Sequence, residues 1–468
     1  MRSNMFNNYN QRPPSTTKEK ITSQGLPNYP LLLNKAQSTP SQEIKSNNPY
    51  SSNTTFTSIT QSSQSKFIEQ NTQKQNQTQM IQQQLQTPMT ISQQNTQKTV
   101  STISSMSQSQ PEQYQTKSIQ NVSKGICGLR NIGNTCFMNS VLQCLLNIPA
   151  FNEHFLNSDY LNDLNSKNCS VPNEYSKLVS TIRNTPNFQS IAPYGIKSAV
   201  EIVMPCFRGY AQQDAQEFLV ALLDGLSLGL NRVKNKPAYK EMNDNLNGRS
   251  LQDLSKEWWD YSKSRENSLV LDYFQGQLLH TIKCSICGSS SYAFDTFQDT
   301  SLAIARAFKI LEDMNLERLL DKYVIEEAID DYYCSKCKKH QKVKRKFTIW
   351  RLPHILMFHI KRFDFRRFSS DKLNHRVIFP LELDMREFVK DSLDQSVKNC
   401  QYLLCGIVNH SGTLYGGHYT ADSKNPYNQK WYRYNDSDVR EFDIKQQRYD
   451  TDGSSSPYIL FYARKSLY

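Results

Sequence analysis

The sequence has no long apolar run. None approaches the about 18 consecutive apolar residues that a membrane-spanning helix needs, so no membrane span is predicted. The first residues, MRSNMFNNYN, lack the apolar core of a secretory signal peptide. These two absences argue against integral membrane and exported proteins, and we expect a cytoplasmic or nuclear protein that does not bind a membrane.

Glycine and cysteine are nearly missing from the first quarter of the chain. Residues 1–123 contain one glycine and no cysteine, and 19 of the 60 residues from Gln61 to Gln120 are glutamine. A polar tract of this kind cannot bury enough apolar surface to offset the entropy of ordering it. We therefore predict that residues 1–123 form a disordered Gln-, Ser- and Asn-rich tail, and that one folded domain occupies residues 124–468.

Strong charge of one sign is also lacking in the predicted domain. Residues 1–123 carry 10 basic and 4 acidic residues, and the remainder carries 45 basic and 39 acidic ones, so each part has a net charge of +6. A basic run, Lys336–Lys346, resembles a nuclear-localisation or nucleic-acid patch. The mild charge balance favours a solvated hairpin surface there. We predict that nucleic acid is not a partner.

Hydrophobic periodicity predicts helices first and strands later. Helices are predicted from Cys136 to Ile148, from about Gln212 to Leu228 and around Trp258. Aromatic and β-branched segments then predict strands at 274–282, 347–350, 355–360, 402–408, 418–421, 431–434 and 458–462. The order of elements predicts an α+β fold with a largely antiparallel sheet.

Cys136 stands where the polar turn NIGNT gives way to the predicted helix. A thiolate at a helix N-terminus is stabilised by unpaired N–H groups and by the helix dipole, as a nucleophile requires. Asn131 on the turn has a side-chain N–H that can donate to an oxyanion. A buried structural cysteine and a plain turn asparagine are the alternatives for these two positions.

Among the eight histidines, His418 has the most suggestive context. It opens a predicted strand directly after Gly416 and Gly417, where the backbone leaves room for a substrate. A hairpin would bring Asn435 beside the imidazole, and Asp436 follows it. The order Cys, His, Asn is that of papain-like thiol proteases. In isolation, Asn435 and Asp436 are equally well explained as turn-capping residues.

Two CxxC pairs and one acidic pair complete the set of candidate residues. Cys284, Cys287, Cys334 and Cys337 predict a structural Zn²⁺ site at the tips of two hairpins, with a redox dithiol as the alternative. Asp214 and Glu217 are spaced to share one face of the second helix. They either stabilise its N-terminus or bind arginine side chains of a partner.

Together these segments resemble the ubiquitin-specific protease family of deubiquitinating cysteine proteases. The motifs occur in family order and are 128–147 (GLRNIGNTCFMNSVLQCLLN), 211–226 (AQQDAQEFLVALLDGL), the CxxC pairs, 352–363 (LPHILMFHIKRF), 409–421 (NHSGTLYGGHYTA), 431–439 (WYRYNDSDV) and 456–465 (SPYILFYARK). A compact, zinc-retaining catalytic core is the most similar type. The resemblance implies a papain-like thumb (about 125–270), zinc-bearing fingers (about 271–350) and palm (about 351–465).

The resemblance also implies a role for each matching residue. Cys136 matches the nucleophile, His418 the base, Asn435 its orienting residue, Asn131 the oxyanion donor and Asp436 a second acidic position that supports catalysis in some members.

Four further residues match positions that bind the substrate. Asp214 and Glu217 match residues that bind arginines of the ubiquitin tail, and Gly416 and Gly417 match the channel for its terminal glycines.

The expected activity is hydrolysis of the bond after the C-terminal glycine of ubiquitin, with ubiquitin and ubiquitinated proteins as partners of a monomeric enzyme. A non-catalytic ubiquitin-binding module and a protease for a ubiquitin-like modifier are the alternatives, and a zinc-stabilised nucleic-acid binder is a third.

Overall fold

We describe the protein from a computed structural model, which covers residues 124–304, 314–366, 369–373, 375–389, 400–413, 416–445 and 456–467. These residues all belong to one unit of the chain, Gln113–Tyr468. The tail predicted to be disordered, residues 1–123, lies outside the described residues. None of the helices in the described ranges has both the length and the apolar content to cross a membrane.

Helices occupy most of the first half of the described chain. They are α1 (Cys136–Leu146), α2 (Pro149–Leu156), α3 (Ser170–Asn184), α4 (Tyr194–Val203), α5 (Ala215–Gly229), α6 (Leu251–Arg265), α7 (Leu269–Phe274), α8 (Leu316–Val324) and α9 (Arg386–Val389). Single 3₁₀ turns lie at Asp159–Asn162, Pro205–Phe207 and Lys465–Leu467.

Strands dominate the second half. They are β1 (Gly128–Leu129), β2 (Ser190–Ile191), β3 (Gly276–Cys284), β4 (Ser290–Phe297), β5 (Asp299–Ala303), β6 (Met314–Asn315), β7 (Glu327–Cys334), β8 (Lys339–Arg351), β9 (Ile355–Lys361), β10 (Phe363–Arg366), β11 (Ser369–Lys372), β12 (Val377–Ile378), β13 (Glu382–Asp384), β14 (Gln401–Gly412), β15 (Gly417–Lys424), β16 (Trp431–Asn435), β17 (Asp438–Phe442) and β18 (Ser456–Arg464). The predicted α+β class is confirmed.

Two larger sheets account for most of the strands. An eight-stranded sheet has the order β17-β16-β15-β14-β18-β9-β5, with β13 paired to β14, and only β5 and β9 run parallel within it. A four-stranded antiparallel sheet has the order β4-β3-β8-β7. Three two-stranded pairs complete the strands: β1-β2, β6-β12 and β10-β11.

The first helix is the centre of the packing. It lies between the eight-stranded sheet, at β14 and β15, and helix α5. Ten of its eleven residues are buried, which explains why its sequence is apolar on nearly every side. Phe137 packs edge-on against Phe218 of α5 with ring centroids 5.6 Å apart. Burial on both sides fixes the position of Cys136, the first residue of this helix.

Candidate active site

The turn before α1 is closed by one side chain. The Oδ1 atom of Asn131 accepts hydrogen bonds from the backbone N–H groups of Gly133 and Thr135, both at 3.1 Å. Gly133 has φ +116° and Asn134 has φ +51°, so the chain passes through the left-handed region twice. A Cβ on Gly133 would overlap the ring of Tyr210, so only glycine fits. The turn delivers Cys136 to the helix N-terminus.

The imidazole of His418 meets the Cys136 thiol and the Asn435 amide. Its Nε2–H donates to Asn435 Oδ1 at 2.6 Å, which leaves Nδ1 for the sulfur. The side-chain hydrogen bond with Cys136 is the largest of the effects that raise the pKa of His418 to about 9. This effect on the pKa indicates that the thiol and the imidazole, which were predicted to meet across the fold, lie close to each other.

A hairpin explains why Asn435 reaches His418. Strands β15 and β16 are antiparallel and pair with Ala421 opposite Tyr434, so the start of β15 lies beside the end of β16. His418 stands near the start of β15 and Asn435 ends β16. The predicted pairing of these side chains is present.

Asp436 occupies a different position from Asn435. Its carboxylate accepts one hydrogen bond from Asn131 Nδ2 at 3.0 Å and another from Asn139 Nδ2 at 2.8 Å. It acts on His418 only through its charge, as the smallest of the effects that raise the pKa of the imidazole. Asn435 therefore orients the imidazole, and Asp436 holds the turn that carries Asn131.

Asn131 itself is only partly used by these contacts. Its amide N–H₂ group has two donor hydrogens, and the described residues supply one acceptor for it, Asp436. The second hydrogen is available to an oxyanion, so the geometry is compatible with the predicted role.

Asn139 was missed by the sequence reasoning. It lies one turn after Cys136 on α1 and is 3% exposed. Besides Asp436, its amide N–H₂ donates to the backbone carbonyls of Leu129 at 3.1 Å and Arg130 at 3.3 Å. The available signal was an asparagine on a largely apolar helix, which also carries Ser140 and Gln143.

The two glycines before His418 lie against the loop that precedes α5. The amide of Gln212, which the sequence reasoning also missed, donates to the carbonyl of Gly417 and accepts from its N–H. A Cβ on Gly417 would overlap His410 Nε2, so this position has no room for a side chain. A Cβ on Gly416 would meet no atom within 4 Å.

Asp214 and Glu217 differ in their surroundings. Asp214 caps α5, accepting from the N–H groups of Gln216 at 2.7 Å and Glu217 at 3.2 Å, and its other oxygen accepts from the Tyr458 hydroxyl. Glu217 is exposed to solvent over much of its surface. The partial burial that remains is the larger cause of the raised pKa of its carboxyl, and the charge of Asp214 is the smaller cause. Asp214 thus has the capping role that was one alternative, and arginine binding by this pair stays a prediction.

The four cysteines of the CxxC pairs converge. Their sulfur atoms all lie within 4.8 Å of one another, with Cys284 and Cys337 4.0 Å apart and Cys287 and Cys334 3.7 Å apart. A tetrahedral ion with metal–sulfur bonds of about 2.3 Å requires sulfur separations of about 3.8 Å. The cluster can therefore hold a metal ion.

Equivalent backbone turns build the two halves of the cysteine cluster. After the first pair, the N–H of Gly288 donates to the carbonyl of Cys284 at 3.0 Å, and after the second, the N–H of Lys338 donates to the carbonyl of Cys334 at 2.8 Å. Gly288 and Lys338 both have positive φ. The two turns extend the ends of the β3-β4 and β7-β8 hairpins, as the spacing predicted.

The basic run is partly neutralised within its own hairpin. Acidic residues of β7 and the residue before it face the basic residues of β8, giving the ion pairs Lys342–Asp330, Lys344–Glu326 and Arg345–Glu327. These pairs are solvent-exposed, which agrees with the solvated hairpin favoured from the sequence.

A family model described as ubiquitin carboxyl-terminal hydrolase matches residues 127–462. The chain belongs to this family. The match confirms the resemblance to ubiquitin-specific proteases, and it spans the turn, helix and hairpin that carry the site.

Individual relatives are similar over the same region. The chain is 38% identical over 344 residues to ubiquitin carboxyl-terminal hydrolase 2 of Rattus norvegicus, covering 72% of this chain and 54% of the relative. It is 39% identical over 346 residues to the protein of that name from Gallus gallus, covering 73% of this chain and 94% of the relative. It spans little more than half the length of the ubiquitin carboxyl-terminal hydrolase 2 proteins of Rattus norvegicus, Bos taurus and Homo sapiens.

Solved structures share the fold. The chain resembles a structure described as the SAGA Ubp8/Sgf11/Sus1/Sgf73 DUB module bound to ubiquitin aldehyde, with 26% identity and a TM-score of 0.56 over 73% of this chain and 70% of that chain. A second structure, of a variant of the same module bound to monoubiquitin, has 25% identity and the same TM-score, over 73% of this chain and 70% of that chain. The likeness supports the predicted thumb, palm and fingers architecture.

Proposed function

We propose that this protein is a deubiquitinase that hydrolyses the isopeptide or peptide bond after the C-terminal glycine of ubiquitin. The observation that carries the proposal is the hydrogen bond of His418 with Asn435, together with the effect of Cys136 on the pKa of His418. The substrate class comes from the family, whose solved relatives include complexes with ubiquitin aldehyde and monoubiquitin.

The geometry supports acyl transfer through a thioester. The Cys136 thiolate, paired with the His418 imidazolium, attacks the carbonyl carbon of the terminal glycine. The second N–H of Asn131 donates to the oxyanion, and the imidazolium gives its proton to the departing lysine amine. His418 then removes a proton from water, which attacks the thioester and releases the ubiquitin carboxylate and the thiol.

The substrate tail would approach along the Gln212 loop and the start of β15, which are joined by the hydrogen bonds between Gln212 and Gly417. Gly416 has open space where a side chain would stand. In this proposal the exposed carboxylate of Glu217 binds a basic side chain of the tail, and Asp214 supports it by capping the helix that carries Glu217.

The four-cysteine cluster is proposed to hold Zn²⁺ in a structural role. All four positions are thiols, so no position stays open for a reacting water, and the sulfur separations suit a tetrahedral ion. Bound zinc would fasten the two hairpin tips together.

Metal analysis of the purified full chain tests the zinc proposal. We expect about one zinc per molecule, and a large loss of zinc and of thermal stability in Cys284→Ser. The matched control is Cys206→Ser, which removes an exposed thiol outside the cluster. Zinc content near zero in the unchanged protein would overturn the assignment.

The reducing interior of the cell is the proposed location, in the cytoplasm or the nucleus. None of the eleven cysteines forms a disulfide, and the proposed nucleophile requires a reduced sulfur. The proposed enzyme acts as a monomer, since the residues of the site all come from one chain.

A ubiquitin derivative with a C-terminal electrophile tests the activity. We expect a covalent adduct at Cys136, no adduct and no hydrolysis with Cys136→Ser, and retained ubiquitin binding by that variant. Cys206→Ser, the exposed-thiol control, should form the adduct normally. Binding without an adduct in the unchanged protein would favour a non-catalytic module, and reaction only with electrophiles of ubiquitin-like modifiers would change the substrate.

A further inference from the structure

One cavity of the protein is lined by residues outside the candidate active site. Its volume is about 430 Å³, and its walls come from α6, α7, the end of β8 with the loop that follows, and the end of β18. The charged and aromatic residues of its wall are Trp259, Lys263, Asp272, Arg351, His354 and Arg464. None of these residues belongs to the catalytic or metal sites.

Two arginines on the wall have no acidic partner among the described residues. Arg464 is only 8% exposed, and its Nη2 donates to the carbonyls of Leu352 at 2.8 Å and Pro353 at 3.1 Å. Carbonyls satisfy hydrogen bonds without neutralising the charge. The Nε atoms of Arg464 and Arg351 are buried and find no acceptor. Uncompensated buried charge of this kind is costly unless a counter-charge binds.

The one carboxylate on this wall is already engaged elsewhere. Asp272 pairs with Arg232 at 2.6 Å, and Lys263 approaches it only to 3.9 Å. Burial, and then the charge of Arg464, lower the pKa of His354 against the opposing charge of Asp272, which favours the neutral ring. The net field in the cavity is therefore positive and comes from Lys263, Arg351 and Arg464.

The rest of the wall is apolar and aromatic except for Gln275, whose buried Oε1 has no hydrogen-bond donor among the described residues. The guanidinium of Arg351 lies 4.7 Å over the ring of Trp259, which limits its access to water on that side. With Gln275, the residues Leu271, Leu352 and Pro353 complete the wall. A cavity of this size suits a small organic molecule with an anionic end.

We propose that this cavity binds an oxyanion, phosphate or carboxylate, carried on an aromatic or apolar body. The oxygens of the anion would accept hydrogen bonds from Arg351 and Lys263, close to the charge of Arg464. The apolar body of the ligand would pack on Trp259 and the apolar wall. Planar guanidinium groups suit both kinds of oxyanion, so the head group is left for the experiment to distinguish.

Calorimetric titration of the full chain tests the site with phenyl phosphate, benzoate and phenol. We expect saturable 1:1 binding of one or both anions and none of phenol, which shares the ring but lacks the charge. The anion that binds more tightly identifies the head group. Arg351→Leu and Lys263→Leu should each weaken binding by about tenfold, because each removes a charge-assisted contact.

Lys256→Leu is the matched control. Lys256 lies on the same helix, is exposed and pairs with Asp260 outside the cavity, so its loss should leave the affinity unchanged. Arg464→Met serves as a further variant only if its thermal transition matches that of the parent, because its guanidinium also supports two carbonyls. Absence of saturable binding by both anions, or equal affinity in Arg351→Leu and the parent, would overturn the proposal.

Discussion

At the scale of single residues, the candidate active site is positioned mainly by amide side chains. Asn435 accepts from His418, Asn131 and Asn139 donate to Asp436, and Gln212 bonds both backbone groups of Gly417. An amide offers a donor and an acceptor without a net charge. Asp436 is therefore the one charge among these positioning groups, and it is directed to the turn rather than to the imidazole.

The first residue-scale prediction concerns the titration of His418. Contact with Cys136 is the largest cause of its raised pKa of about 9, and Asn435 also raises it. Both stabilise the protonated imidazole, so removing either must lower the pKa. We expect Cys136→Ala to move it towards the ordinary value of about 6.5 and Asn435→Ala to lower it by less. NMR titration of the imidazole measures this, and an unchanged pKa in Cys136→Ala would contradict the contact.

The second residue-scale prediction concerns Asn139. Replacing it with alanine removes a hydrogen bond from Asp436 and leaves two backbone carbonyls unpaired. We expect the free energy of unfolding to fall by about 1–3 kcal/mol. We also expect kcat/KM to fall by about tenfold or more, mostly through kcat, because a displaced Asp436 no longer orients the oxyanion donor. Denaturant unfolding and steady-state hydrolysis of a ubiquitin substrate provide the two measurements.

The matched control for Asn139 is another buried asparagine. Asn152 is 4% exposed and its amide donates to the carbonyls of Leu145 and Ile148, each at 2.8 Å. Asn152→Ala should therefore cost similar stability but leave kcat close to the parent value at temperatures where both variants are folded. Equal losses of kcat in the two variants would mean that Asn139 has only a structural role.

The residues predicted from sequence are those with a local signature. Cys136 begins a helix, His418 follows two glycines and the cysteine pairs have metal-ligand spacing, so each was visible without a fold. Asn139, Gln212 and the Tyr458 hydroxyl were not, because their partners lie at distant positions of the chain. Their roles depend on packing that no short window of sequence contains.

At the scale of elements, the hairpin of β15 and β16 determines where His418 and Asn435 meet. Asp422 and Arg433 face each other across it, with Arg433 donating through Nε at 2.7 Å and Nη2 at 2.8 Å, and Asn409 of β14 donates to the same carboxylate at 2.9 Å. Asp422 is fully buried. Because side chains alternate along a strand, this pair lies on the same face of the hairpin as His418 and Asn435.

We predict that Arg433→Met destabilises the protein by about 3–5 kcal/mol, because it deprives a buried carboxylate of its charged partner. Lys430→Met is the control on the same hairpin. Lys430 pairs with Glu441 at 2.9 Å on the surface, where solvent screening leaves such a pair little net effect on stability. Denaturant unfolding measures both variants. Similar losses in the two would mean that the buried pair does not hold the hairpin together.

Element boundaries show where sequence patterns succeed and where they fail. Helix α5 was predicted to begin near Gln212. It begins at Ala215, because Asp214 caps it and Gln212, before the cap, bonds to Gly417. Strand β8 was predicted only for 347–350 but spans Lys339–Arg351. Its first half is polar and exposed, held by cross-strand hydrogen bonds and ion pairs rather than by burial. Hydrophobic patterns do not report such segments.

At the scale of the whole molecule, the candidate active site joins distant parts of the chain. The turn and helix around Cys136 come from the start of the described region, the Gln212 loop from its middle and the hairpin with His418 from its end. Helix α1 connects them, because one side packs on the sheet and the other on α5. The candidate active site therefore forms only when the whole domain is folded, and we expect destabilisation of a remote element to reduce activity.

The last prediction concerns the tail. Every hydrogen bond described around Cys136, His418 and Asn435 involves only residues that follow Lys124. The start of the domain is held by a separate hydrogen bond, which Asn425 Nδ2 donates to the carbonyl of Lys124 at 3.1 Å. Deleting residues 1–120 leaves this contact in place. We expect kcat/KM for a minimal ubiquitin substrate to stay within about twofold of the parent, since every positioning group found in the described part of the chain is kept. Steady-state hydrolysis measures it, with a deletion of residues 1–130 as the comparison that also removes β1 and should lose activity and stability together. A large loss on removing only the first 120 residues would mean that the tail contributes to the site or to the folding of the domain.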